Sequence, residues 1–514
     1  MNRRFLLAFA ATALSGAIHA LAFPPYSIRL CAWIALAPFL WALRSVGLGA
    51  GLFLAWFWAV FASSFVADAL PAAVETYFLQ PRLTSYAFAV FVWSVTGSVY
   101  YMGFASVCRG LERSGAVARP LLVGAAWALF ELLRGRLLTG SGFFVGNPWA
   151  LIAYSQVGWD ALVQVASVTG VYGISFLIAS VNAAWVELLP RQGTPLRSRL
   201  EAFVAPALLV AASLGFGAWS LRSADAEAAP TVSVAIVQGN VAIGSVWRSD
   251  YYGRNLDVYL GLTARALPER PALVLWPESA LSFFLEEEPL YQRAIARLLA
   301  AGDVELVVGG PRRSDEGDDA GYLNSIFLMQ SDGALAARYD KQYLVPFAEF
   351  LPLRELDFLR RRFERVRVFE PGRPSPPLPT RAGRAGVLIC NEAMLPEAAR
   401  ERVREGAEIL LVPSNDTWID DPDWAALMFD LVSLRAVEQR RYLVRASSSG
   451  PSAIVDPYGR VLAKSEPMTQ ATLVGRVAPR GELSPYARVG DAFGGLCAVA
   501  LIVAVRRGRR RAAA

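Results

Sequence analysis

Lysine and histidine are nearly missing from this chain of 514 residues. Its 50 basic side chains are arginines except for Lys341 and Lys464, and His19 is its single histidine. That scarcity narrows the chemistry. A nucleophile activated by imidazole would need His19, which lies inside the first hydrophobic segment and so within lipid. Cysteine is scarce too, with four in all, and four do not make a disulfide scaffold. Cys31, Cys108 and Cys497 lie in hydrophobic stretches, where a free cysteine packs as a small apolar residue. Cys390 is therefore expected to remain a free thiol. No His, Cys and carboxylate cluster has metal-ligand spacing, so neither a metal nor a cofactor is expected.

Acidic residues are also rare, but only in one half. Residues 1–222 contain seven of them and no lysine, whereas residues 223–485 have an ordinary soluble composition. The apolar fraction of 54% and the mean hydropathy of +0.36 are thus averages over two unlike halves. Crossing a hydrocarbon core takes about 20 apolar residues. Spans are expected near 4–23, 30–44, 48–67, 86–107, 119–134, 163–188 and 201–220, with an eighth near 489–505. The stretch Ser141–Trp149, rich in glycine and aromatics, reads as an interfacial or re-entrant loop. With a cytoplasmic N-terminus, fourteen arginines fall inside and four outside, in keeping with the positive-inside rule. Residues 1–222, crossing seven times, then leave 223–485 on the outer face, and 486–514 returns as the last helix with a basic cytoplasmic tail. A cleaved signal peptide is the competing reading of residues 1–23. The net charge of +6 is a topology signal, and no nucleic-acid partner is expected.

In the outer domain, short apolar strands alternate with helices, which implies buried sheets covered by helices. Strands are expected at 231–238, 272–276, 304–310, 322–330, 335–339, 386–390, 408–413, 442–446, 453–456 and 460–464. Helices are expected at 250–267, 289–301, 396–405 and 424–440, and the Arg- and Pro-rich 353–385 reads as a long loop.

Three residues of this domain fall at or just after strand ends, where such a sheet presents side chains to a crevice: Glu278, Lys341 and Cys390. A cysteine attacks as its thiolate, and a free pKa of roughly 8.5 leaves little thiolate unless a base or cation helps. Glu278 can take the thiol proton and return it to the leaving group. Lys341 can hold the charge of the thiolate and of a tetrahedral intermediate, helped by the N–H after Cys390. Taken singly, each has a plainer explanation as core thiol, helix-start charge or solvated lysine. Jointly they point to a site, because a domain that uses arginine almost everywhere kept lysine in Asp340-Lys341-Gln342.

The strings Trp276-Pro277-Glu278-Ser279, Asp340-Lys341 and Ile389-Cys390-Asn391-Glu392, in this order, resemble the nitrilase (carbon–nitrogen hydrolase) superfamily. Hung between seven spans and a final one, such a domain resembles the bacterial apolipoprotein N-acyltransferase family. The likeness extends to Val237–Asn240, Tyr343–Phe350 and Ser414-Asn415-Asp416. It implies an αββα sandwich and a Glu278, Lys341, Cys390 triad. It further implies Glu349 and Glu392 in the site, and Trp247 and Trp418 near the substrate cavity. The implied reaction passes a fatty acyl chain from a phospholipid to Cys390, then to the α-amine of diacylglyceryl-cysteine in an apolipoprotein. The implied setting is the bacterial inner membrane, with a periplasmic catalytic domain acting as a monomer. One departure is Asn391, where the family commonly has an aromatic. Two other functions remain open on the sequence: a membrane-tethered amidase or nitrilase using the same triad, and a non-catalytic lipid- or lipoprotein-binding scaffold.

Overall fold

Short, largely apolar runs, unbroken in burial along the central strands, build the sheets of residues 231–488, because alternate side chains of a strand reach opposite layers and here both layers are covered. In the computed structural model, the described residues are all but 1–2, 67–69, 77–78, 138–146, 191–192, 226–230, 242–248, 315–320, 347, 352–368, 418, 420 and 514. The chain divides into two compact units, one of Met1–Leu137, Gly146–Asp225 and Val489–Ala514, the other of Leu138–Val145 and Ala226–Arg488.

Among its described residues the second unit holds twelve strands in two six-stranded sheets. They are β1 (Val232–Gln238), β2 (Leu273–Leu275), β3 (Glu305–Arg313), β4 (Tyr322–Met329), β5 (Leu335–Asp340), β6 (Leu378–Thr380), β7 (Gly383–Val387), β8 (Ile409–Ser414), β9 (Tyr442–Ser447), β10 (Ala453–Val455), β11 (Val461–Lys464) and β12 (Ala471–Val477). One sheet runs β12-β1-β2-β3-β4-β5 and the other β11-β10-β9-β8-β7-β6. Each has three parallel strands at its centre, β1-β2-β3 and β7-β8-β9, with antiparallel neighbours outside. Between the sheets lies an apolar layer that includes Ile236, Leu275, Ile326, Val387, Ile389 and Leu411. The opposite face of the first sheet, with Trp276, Leu306 and Val308, packs on the helices Tyr252–Ala266 and Pro289–Gly302. Helices Pro396–Arg404 and Pro422–Gln439 lie against β7 and β9 of the second sheet. The order is helix, sheet, sheet, helix.

Two expectations fail here. Of the long loop expected over 353–385, residues 353–368 lie outside the described residues, and the remainder is not all loop, since β6 lies inside it as an edge partner of β7. The strand expected over 386–390 stops at Val387, and Cys390 instead opens a tight helical turn, Cys390–Met394. β12, half-exposed and interrupted by Gly475, has no clear alternation and lies outside the expected strands.

In the first unit, a helix lies at each of the eight stretches expected to span, but their lengths differ from that expectation. Among the described residues, two helices are long and apolar enough to cross a membrane, Arg3–Leu21 and Leu196–Ala224, or up to four if each bent pair is one span. Arg82–Thr96 meets Ser98–Leu111 at 42°, and Asp160–Thr169 meets Val171–Glu187 at 117°. Gly170, at φ +67°, makes the sharper break. Ala37–Ser45 is nine residues long, which at about 1.5 Å per residue covers less than half of a bilayer core. Arg119–Arg136 carries Glu131 and Arg134 besides its two terminal arginines. The unit exposes large apolar side chains such as Leu7, Leu30, Leu83, Phe91, Leu208 and Leu496, as a lipid-facing surface would.

Candidate active site

The ends of β2, β4, β5, β7 and β8 bring the polar groups together. Alternation decides which face each side chain takes. Ile326, Leu328 and Tyr339 point into the inter-sheet layer, so Asn324 and Lys341, two residues away in register, point the same way. Lys341 Nζ donates to Glu349 Oε1 at 2.8 Å and to Glu278 Oε1 at 3.3 Å. Asn324 Nδ2 donates to the same two oxygens, at 2.9 and 2.7 Å. The second oxygens are held by main chain: Glu278 Oε2 accepts from Asn415 N at 2.9 Å, and Glu349 Oε2 from Val345 N at 2.8 Å. Two carboxylates therefore share one ammonium and one amide.

Glu278 reaches this point because Pro277 ends the β2 ladder and Ser279 takes a left-handed φ of +56°. Gly309 of β3 lies beneath that turn, where a Cβ would come within 2.6–2.8 Å of Pro277 O, the Glu278 Cα and Ser279 N. Cys390 has φ +50°, a conformation that stores about 1–3 kcal/mol in a residue bearing a Cβ. Surroundings that over-determine it are at hand. Glu392, fully buried, accepts from Ile389 N at 2.7 Å, Gln342 N at 2.7 Å, Tyr343 N at 3.1 Å and the Tyr339 hydroxyl at 2.9 and 3.0 Å. It ties the Lys341 loop to the Cys390 turn. Asn391 adds a second tie, Nδ2 to Tyr343 O at 2.9 Å.

Burial sets the protonation states. Cys390, Glu278 and Lys341 are 5%, 6% and 1% exposed. Burial pushes the Cys390 thiol well above its ordinary range, Glu278 raises it further, Lys341 opposes, and Asp416 and Glu349 add to the rise. The resting group is a thiol. Burial likewise raises Glu278, against the pull of Lys341, with Glu349 pushing upward again. For Lys341 burial alone would favour the neutral amine, but Glu278, Glu349 and Cys390 outweigh it and the ammonium persists. A proton can thus pass between Cys390 and Glu278 beside a fixed positive charge.

Glu278, Lys341 and Glu349 are in direct contact, and Cys390 lies within their electrostatic reach. Glu392 contacts the backbone on both sides of the site rather than the other side chains of this group, except through Tyr339. Trp247 and Trp418 lie outside the described residues. Asn324, Tyr339 and Gly309 are positions at this site that sequence reasoning misses. The only signal for the first is its two-residue spacing before Ile326, on a strand that pairs with the one leading to Lys341. Among the described residues no group of three His, Cys or carboxylate side chains could hold a metal ion.

The family model for carbon–nitrogen hydrolases matches residues 233–482, and that for the apolipoprotein N-acyltransferase N-terminal domain matches residues 15–184. Over 507 residues the chain is 32% identical to the apolipoprotein N-acyltransferase of Geobacter metallireducens, covering 97% of this chain and 95% of that protein. It is also 32% identical to the enzyme of that name from Brucella melitensis, over 89% of this chain and 87% of the relative. Among solved structures, the Caenorhabditis elegans NitFhit protein is similar over 52% of this chain and 65% of its own, at 21% identity and a TM-score of 0.39.

Proposed function

The chain belongs to the apolipoprotein N-acyltransferase family, and from that premise we propose that Cys390, Glu278 and Lys341 carry out the acyl transfer. The protein is an acyltransferase of lipoprotein maturation whose substrates are phospholipid and lipoprotein. The observation that carries the residue assignment is the convergence on Lys341 of Glu278 and Glu349, with Cys390 coupled to all three. In the first half-reaction the thiol proton moves to Glu278 and sulfur attacks the donor's ester carbonyl. Lys341 balances the oxyanion. The carbon–oxygen bond then breaks, and Glu278 returns its proton to the departing lysophospholipid alkoxide, leaving a Cys390 thioester. In the second half-reaction the α-amine of diacylglyceryl-cysteine attacks the thioester. Its proton goes to Glu278, the carbon–sulfur bond breaks, and Glu278 reprotonates the thiolate. The products are an amide and the original thiol.

Glu349 would share the charge of Lys341, and Glu392 would hold the two halves of the site in register. Trp247 and Trp418 are proposed to lie along the lipid cavity. The membrane domain is proposed as 1–222 with seven spans, the catalytic domain as 223–485 on the periplasmic side, and 486–514 as the last span and tail, in a monomer of the inner membrane. Arginine placement supports that orientation. An amidase with the same triad would end at water instead of the amine. Intact-mass analysis after incubation with phospholipid separates the readings. An acyl adduct on Cys390, absent from Cys390→Ala and discharged by a diacylglyceryl peptide as amide, is expected. Free fatty acid as the main product despite the peptide, or an adduct persisting in Cys390→Ala, would refute the assignment.

A further inference from the structure

Ser414-Asn415-Asp416 matches the family pattern, yet none of its side chains has a role in the steps above. Its place in the fold supplies one. Ser414 is the last residue of β8 and pairs with Ser447 of β9, and Asn415 and Asp416 begin the turn that follows. Asn415 N is the hydrogen-bond donor that holds Glu278 Oε2, at 2.9 Å. The other Glu278 oxygen is occupied by Asn324 and Lys341, so Oε2 is the better placed to receive the thiol proton. The aim of that oxygen then depends on how firmly a single peptide N–H is held.

The turn carrying that N–H is locked by a carboxylate beneath it. Asp416 is 2% exposed, and its Oδ2 accepts from Arg445 Nη2 at 2.7 Å and Ser447 Oγ at 2.5 Å. Arg445 is itself fully buried on β9. The loop after β9 closes over the same carboxylate. Gly450 N donates to Ser447 Oγ at 2.9 Å, and a Cβ on Gly450 would collide with Asp416 Oδ2. From the main-chain side, Asp416 N donates to Ser448 Oγ at 3.1 Å, and that hydroxyl donates to Asn415 Oδ1 at 2.8 Å. Thr417 N and Oγ1 donate to the same Asn415 oxygen, at 3.2 and 2.7 Å. Each of these bonds serves to fix the peptide between Ser414 and Asn415. A buried ion pair is a poor source of net stability but can specify one conformation. The lock lies where one conformation matters.

We propose that Asp416, held by Arg445 and Ser447, is a positioning residue for the general base: it fixes the turn whose Asn415 N–H aims and charges Glu278. The proposal rests on the reading of Glu278 as that base. Loosening the turn removes a hydrogen bond made to the ionised carboxylate, so the carboxyl group becomes harder to ionise. The groups facing Glu278 are Lys341, Glu349, Asn324 and Asn415, and those facing Cys390 are Glu278, Lys341, Asp416 and Glu349. Only the Asn415 bond is altered at Glu278. At Cys390 the loss of a negative charge eases thiol ionisation, an effect of opposite sign on a different group.

The experiment compares pH profiles of acyl transfer for the full-length protein in detergent with a phospholipid donor and a diacylglyceryl peptide. Asp416→Asn is expected to lower kcat roughly tenfold or more, since small misplacements of a catalytic group are this harmful. KM for both substrates should hold, and the acid limb should move upward by roughly half a unit. Ser447→Ala, which leaves the ion pair in place, should give a smaller shift of the same sign and keeps the test open should the first variant unfold. Alkylation of Cys390 by iodoacetamide should begin at lower pH in Asp416→Asn. An acid limb unmoved in both folded variants, or a loss seen only in KM, overturns the positioning role. Glu278→Gln, run in parallel, judges the underlying reading: retained activity there would remove the base itself, whatever Asp416 does.

Discussion

Both units bury charge, and one cluster in each differs from the other in balance. In the membrane unit Arg119 Nη1 meets both oxygens of Glu187 at 2.7 Å, while Arg44 reaches Glu187 at 3.3 Å and Glu112 at 3.7 Å. Two guanidinium groups face two carboxylates, and the set is neutral. In the catalytic unit one ammonium, Lys341, faces Glu278 and Glu349, and a thiol stands beside them. A negative charge is left over. In lipid such an excess would be expelled or neutralised; at the sheet ends burial first, and the neighbouring carboxylates after it, push the carboxyl and thiol groups upward. A neutral buried set holds a structure in place. An unbalanced one leaves groups that can take up or release a proton.

The widest gap between the two should appear on removing one carboxylate charge from the catalytic set. Glu278→Gln is expected to reduce acyl transfer about 10²–10⁴-fold, as loss of a general acid–base does. The melting temperature should change little, because the variant relieves an unbalanced charge. A steady-state transfer assay alongside thermal unfolding checks both halves of that statement. Arg119→Met should do the reverse. Glu187 keeps Arg44 at 3.3 Å, so losing Arg119 should be destabilising by less than the cost of a buried pair broken outright, about 3–5 kcal/mol. Arg119→Met with Glu187→Met should recover part of it, because the carbonyls of Leu111, Glu112 and Ser114 lose Arg119 as donor in both. Activity per folded molecule should be unchanged in each. If Arg119→Met instead altered the rate with stability intact, the contrast between the two units would be wrong.

How much of this is legible in the sequence follows the same division. Scarcity makes Lys341 and Cys390 stand out, and Pro277 marks Glu278 as the end of a strand. Apolar runs alternating with helices imply buried sheets covered by helices, and the αββα order is what the resemblance implies. The left-handed φ of Cys390 is not legible, since it is imposed by Glu392 collecting N–H groups from two distant segments. Asn324 and Tyr339 stay hidden because a strand's register, not its composition, decides which side chains meet. β12 escapes because a half-exposed edge strand carries no alternation. In the membrane unit, hydropathy locates helices but not the bends at Gly97 and Gly170, which depend on packing rather than on apolar length.

A finer test moves the balance without removing the base. Glu349 is one of the groups that raise Glu278, after burial itself and against Lys341. Glu349→Gln deletes that repulsion and leaves the ammonium to Glu278 alone, and both changes lower the Glu278 pKa. The acid limb of the transfer profile should therefore move to lower pH, by roughly one unit for a charge this close. This is the opposite sign to that expected for Asp416→Asn, so the two variants calibrate each other. A profile unmoved by Glu349→Gln would mean that the second carboxylate does not share the charge of Lys341 during turnover.

The smallest effect expected is at Tyr339, where the two kinds of buried polar group meet. Its hydroxyl donates to Glu392 in the fully buried clamp between the Lys341 loop and the Cys390 turn. Burial and the nearby Glu392 carboxylate hold the phenol well above its ordinary pKa, so it stays a donor through the working pH range. In Tyr339→Phe, Glu392 keeps its three main-chain donors, from Gln342, Tyr343 and Ile389. Loss of one hydrogen bond to a charged, still-satisfied acceptor should be destabilising by about 1–2 kcal/mol. If the clamp, which bonds both the Lys341 loop and the Cys390 turn, sets the spacing of the ammonium and the thiol as proposed, kcat should fall by about fivefold with no change in either limb of the pH profile. A shift in a limb would place Tyr339 among the proton-moving groups instead. A fall in stability with kcat untouched would mean that the clamp resembles the neutral set of the membrane unit after all, holding the fold but not the spacing of the reacting groups.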